Sequence, residues 1–174
     1  MANTFTLIST ITVGSGGASS IDFTSIPSTF TDLCLKTSLR TDRTSITSDM
    51  ILQFNGDTSA AYSFRRIYGS GSGAGSDSLS AGSTNGLSGF ADGASATSST
   101  FGNTEIYIPN YAGSTQKSWS TDGVNENNAT TAYAGLYASL WTGTSAINRV
   151  TIKDYNSANF VQYSSASLYG ILKA

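Results

Sequence analysis

The residues able to do chemistry are few, and they lie far apart. Histidine is absent from the 174 residues. That removes the usual general base, the Ser-His-Asp constellation, Cys-His nucleophiles and most zinc sites. Among the acidic residues, the closest two along the chain are Asp122 and Glu126. A glycosidase needs two carboxylates flanking one bond, and no pair stands out here from ordinary solvated loop acids. Loop oxygens between Asp122 and Asn128 could hold Ca²⁺, but EF-hand spacing is missing. Gly69-Ser70-Gly71-Ser72-Gly73 lacks the Lys-Ser/Thr ending and the following helix of a phosphate loop. The expectation is a chain that is not an enzyme and carries no metal or cofactor.

Binding chemistry has more candidates. Tyr107, Tyr111, Trp119, Tyr133, Tyr137 and Trp141 serve first as core or subunit interface. The second reading is a sugar-binding face, since aromatic rings stack on sugar rings. Its contact candidates are Tyr111, Trp119, Asn127, Asn128, Tyr137 and Trp141. Arg65 and Arg66, the only adjacent basic pair, could meet carboxylates across an interface. The other basic residues are scattered from Lys36 to Lys173, and the formal net charge is −2. No basic stripe exists to neutralise phosphates, so no nucleic-acid partner is expected.

The segments that position these residues read as strands. Charged residues make up 11% of the chain, and Ser, Thr, Asn and Gly fill the gap. That balance suits pleated surfaces and tight corners. Phe5, Leu7, Ile11 and Val13 share one parity against Thr6, Thr10 and Thr12. Leu33, Leu35 and Leu39 alternate with Asp32, Lys36, Ser38 and Arg40. Short strands are also expected over 20–23, 50–54, 61–68, 104–108, 116–121, 147–153, 160–163 and 167–172. Residues 133–141 fit either period, because Tyr133, Leu136, Tyr137, Leu140 and Trp141 also follow helical spacing. Gly135 and the Thr-Gly-Thr that follows favour a strand.

Residues 69–100 are almost wholly Gly, Ser, Ala and Thr, and read as one long loop. Leu79, Leu87 and Phe90 interrupt that composition and mark it as a loop that packs on a neighbour. The expected fold is therefore all-β. It is an antiparallel β-sandwich, jelly-roll-like, with about nine to eleven short strands. Residues 1–174 form one domain with an N-terminal arm over about residues 1–18 and a long loop over 69–100.

Cys34 is the only cysteine, so no internal disulfide forms, and it serves as a small hydrophobe. Met1 to Thr10 lacks a basic segment and a continuous apolar core, so assembly in a cytoplasm is expected. No apolar run approaches the roughly 20 residues of a membrane-spanning helix, so no membrane partner is expected.

Several phrases carry a resemblance. They are Ile26-Pro27-Ser28-Thr29-Phe30-Thr31-Asp32-Leu33, then Phe54-Asn55-Gly56-Asp57 with Tyr62-Ser63-Phe64-Arg65-Arg66-Ile67-Tyr68-Gly69. Glu105-Ile106-Tyr107-Ile108-Pro109-Asn110-Tyr111, Asn127-Asn128-Ala129-Thr130 and Leu168-Tyr169-Gly170-Ile171 complete them. Together, from about residue 20 onward, the chain resembles small virion-associated structural proteins of tailed bacteriophages of marine and freshwater bacteria. The resemblance implies a capsid decoration, or cement, protein. Such a protein sits on the capsid surface, binds the major capsid protein and associates with itself as a homotrimer. Interface candidates would be Phe5, Leu7, Leu79, Leu87, Phe90, Arg65 and Arg66. The alternative implied role is a tail or head fibre tip, a receptor-binding module that contacts a host-surface glycan.

Overall fold

The computed structural model describes residues 4–172, and every sheet pairing in it is antiparallel. The strands are β1 (Phe5–Thr12), β2 (Ile21–Phe23), β3 (Asp32–Leu39), β4 (Thr47–Phe54), β5 (Tyr62–Gly69) and β6 (Ala74–Ser83). They continue as β7 (Gly86–Asp92), β8 (Gly102–Ile108), β9 (Lys117–Val124), β10 (Ala134–Trp141), β11 (Val150–Asp154) and β12 (Ser165–Ile171). One sheet has eight strands in the order β1-β12-β3-β8-β9-β10-β5-β6, and the other has four in the order β2-β11-β4-β7. The all-β sandwich is thus as expected. A jelly roll is eight strands in two Greek keys, and this eight-plus-four arrangement is described only by the broader term.

Alternation builds the core. Leu33, Leu35, Leu39, Ile106, Ile108, Trp119 and Trp141 from the large sheet meet Ile21, Phe23, Met50, Leu52, Phe54, Val150 and Ile152 from the small one. Strands β8 and β9 alternate strictly between buried and exposed, the pattern of a sheet with one covered face. Residues 134–141 are strand, with Tyr137, Ser139 and Trp141 inward and Leu136 outward.

Two expectations change. The segment 69–100 is not a long loop, because it holds β6 and β7, and all seven residues of β7 are buried. Its glycines serve packing. A Cβ on Gly86 would lie 2.2 Å from Trp119 Cζ2, and one on Gly89 would lie 2.5 Å from Thr104 Oγ1. From the facing sheet, a Cβ on Gly135 would lie 3.0 Å from Phe90 Cε2. Small residues on both sides let β7 press its backbone against the large sheet. The N-terminal arm is likewise part of the sandwich: Phe5–Thr12 is the edge strand β1, paired along β12. A smaller change concerns residues 160–163, where Phe160 makes isolated bridges to Ala18 and Thr41 instead of a strand.

Candidate binding surface

Most of the rings expected to face a sugar are inside. Tyr111, Trp119, Tyr137 and Trp141 are all buried. Three of these polar tips are satisfied internally: Trp119 Nε1 donates to Ser88 Oγ at 3.0 Å, Trp141 Nε1 to Asp57 Oδ2 at 2.7 Å, and Tyr111 OH to Pro27 O. Asn127 is also buried, donating to Asp92 Oδ1 at 2.9 Å, while Asn128 is exposed in a left-handed turn. Four rings and one amide of the six glycan candidates therefore have no free face. Parity explains the miss: alternation separates two faces of a strand, but does not say which face the second sheet covers.

The interface candidates divide. Leu87 and Phe90 are buried in a small cluster with Ile51 and Tyr137, which removes them from any outer contact. Phe5, Leu7 and Leu79 stay exposed at 51%, 55% and 42%. They lie on β1 and β6, the two edges of the eight-stranded sheet. Edge strands leave rows of backbone N–H and C=O groups without sheet partners. Strand β1 carries no charged side chain to discourage pairing. On the outer face of the same sheet, Ile67 and Leu136 are direct cross-strand partners and both are exposed. They share the floor of two shallow depressions of about 660 and 510 Å³.

Arg65 and Arg66 part company, as neighbours on a strand must. Arg65 points outward, donating to Ser80 Oγ at 3.0 Å. Arg66 points between the sheets. It binds Asp77 through Nε at 2.7 Å and Nη2 at 2.8 Å, and Asp49 through Nη1 at 2.8 Å. Its guanidinium carbon lies 5.0 Å from the Tyr68 ring centroid and 5.8 Å from that of Phe90. Burial pushes the Asp49 carboxyl above its ordinary value, although Arg66 and Arg43 pull it down. The sequence held no signal for this cluster, because Asp49 and Arg66 sit on different sheets.

Beside Arg66 lies a cleft of about 100 Å³ lined by Arg43, Asp49, Tyr68, Phe90 and Tyr133 among others. Tyr133 also lines a neighbouring depression of about 450 Å³, formed by the Gly69–Ser72 turn and the 124–134 segment. Among the described residues, no group of three or more Cys, Asp or Glu side chains is placed to hold a metal ion. Compared with known proteins, the chain matches no family model and no curated protein.

Proposed function

We propose that this chain is a structural protein of a tailed-phage virion. In this reading it decorates the capsid, binding the outer surface of the major capsid protein, stabilising contacts between its subunits and associating as a homotrimer. The observation that carries it is the exposure of Phe5, Leu7 and Leu79 on the two edges of one eight-stranded sheet. Within the monomer Phe5 meets the Tyr169 ring edge-on at 6.4 Å, yet all three side chains stay largely exposed, whereas a partner strand would bury them and use the edge hydrogen bonds. The phage resemblance supplies the setting. The fibre-tip alternative would need contacts other than its buried rings.

Copy number in purified particles tests the proposal. Decoration requires a number comparable with that of the major capsid protein, together with earlier heat disruption of particles lacking this chain. Recovery in the tail fraction alone would refute it.

A further inference from the structure

We propose that the cleft beside Arg66 binds a neutral, hydroxyl-rich ligand, the terminal unit of a saccharide, with the Tyr133 ring as its wall. The assignment goes beyond the decoration reading and holds wherever on a particle the chain sits.

Hydrogen-bonding groups are left over around the cleft. Arg66 spends three of its five N–H groups on Asp77 and Asp49. Arg43 spends one Nη1 hydrogen on Thr47 O at 3.2 Å, and no other side-chain bond from it is found among the described residues. Asp49 accepts from Arg66 at Oδ1, and among the described residues its Oδ2 accepts no bond. The lining of the cleft therefore includes both guanidinium donors and a carboxylate acceptor. A hydroxyl serves both at once, donating to Asp49 and accepting from Arg43.

Charge decides against an ionic ligand. Asp49 lines the cleft with Arg43 and Arg66, while Asp77 lies outside the lining and pairs with Arg66, so the four charges of the cluster sum to zero. An anion would face Asp49, and a cation would face Arg43. A neutral polyol meets neither penalty.

The aromatic wall completes the site. The Tyr133 ring stacks on Phe90 at 5.0 Å and 19°, and meets Tyr68 edge-on at 5.5 Å. The backbone of Tyr133 is clamped: its N–H donates to Asn125 Oδ1 at 2.7 Å, and its carbonyl accepts from Asn125 N–H at 2.9 Å. A ring braced this way loses little entropy on binding. The ring face opposite Phe90 carries partial negative charge, which suits the C–H bonds of a pyranose. The small cleft suits the hydroxyl-bearing edge of one sugar. The 450 Å³ depression across Tyr133 falls within the size range of ligand sites and would take the next sugar.

The test is a ¹⁵N NMR titration of the full chain. The probes are glucose, galactose, mannose, rhamnose, N-acetylglucosamine and their disaccharides, with sodium acetate and sodium phosphate as ionic probes. The expected result is that at least one saccharide shifts the Asn125, Tyr133 and Arg43 signals. Tyr133→Ala and Arg43→Gln should each weaken that binding about tenfold or more. Both side chains are partly exposed, so thermal melting checks that each variant folds; Tyr133→Phe, which keeps the ring, should retain binding. Absence of shifts at these residues with every saccharide overturns the proposal. So does stronger binding of acetate or phosphate, or saccharide binding that Tyr133→Ala leaves unchanged. Copy number on the particle bears on none of these outcomes, so the two proposals fail separately.

Discussion

Gly89 and Thr104 mark the place where the two sheets nearly touch. A Cβ added to Gly89 would lie 2.5 Å from Thr104 Oγ1 and 2.7 Å from its Cγ2, and the Gly89 φ of +111° disfavours any side chain. The contact joins β7 to β8 across the sandwich, and it is backbone against side chain with no slack.

Gly89→Ala should therefore destabilise by about 3 kcal/mol, from overpacking plus the unfavourable φ. Gly73→Ala, where a Cβ meets nothing within 4 Å, should stay within about 0.5 kcal/mol. Urea unfolding of both variants checks this. Equal effects would mean that the glycines of residues 69–100 act through flexibility and not through packing.

Arg66→Met should cost about 2 kcal/mol, because the half-buried Asp49 keeps its charge and loses its partner. The double variant Arg66→Met with Asp49→Asn should recover part of that loss. A double-mutant cycle in urea measures the coupling. Additive costs would show that the pair does not couple.

Lys117 is buried, and its ammonium donates to the carbonyls of Gly113, Thr115 and Thr144. Lys117→Met leaves three acceptors without their donor and should cost about 2 kcal/mol. Burial holds the ammonium below its ordinary pKa. Denaturation at neutral pH, where the lysine is charged, gives the relevant number.

Acid should loosen the corner around Trp141. Hydrogen bonds from Ser59 and Trp141 hold the Asp57 carboxyl below its ordinary value of 3.8. A lowered folded pKa means the unfolded chain binds the proton more readily. This contribution is complete above 3.8 and disappears as pH falls through the folded value. Asp49 works the other way: its raised pKa lends stability to the protonated form, and that gain fades as pH rises above 3.8. Comparing melting temperatures of the parent and Asp57→Asn across this range isolates the Asp57 part. The difference between them should shrink on acidification.

Leu7→Lys and Leu79→Lys place charges on the open edges, where lysine discourages strand addition. Both sites are exposed, so stability should change by no more than about 0.5 kcal/mol. Self-association by sedimentation, and retention on capsids, should both fall. Unchanged values for both variants would remove the edges from the proposed interface.

Strand class and most strand positions could be read from the chain alone. In Gly102–Ile108 the alternation is a local property, set by the twofold period of the strand, whereas in Asp32–Leu39 it holds only from Leu35 onward, because Asp32 and Cys34 are buried as well. The absence of histidine is equally local, and it narrowed the chemistry before any fold was known. Residues 69–100 show where local reading stops. Composition cannot separate a glycine that bends from one that admits a neighbour, and Gly86 and Gly89 are defined by Trp119 and Thr104 from other strands. The aromatics follow the same rule. Trp119 and Trp141 on one side and Tyr133 on the other look alike in sequence. Only the placement of the second sheet buries the first two and leaves Tyr133 at the mouth of a cleft, beside an Asp49 and an Arg66 that the sequence keeps 17 residues apart.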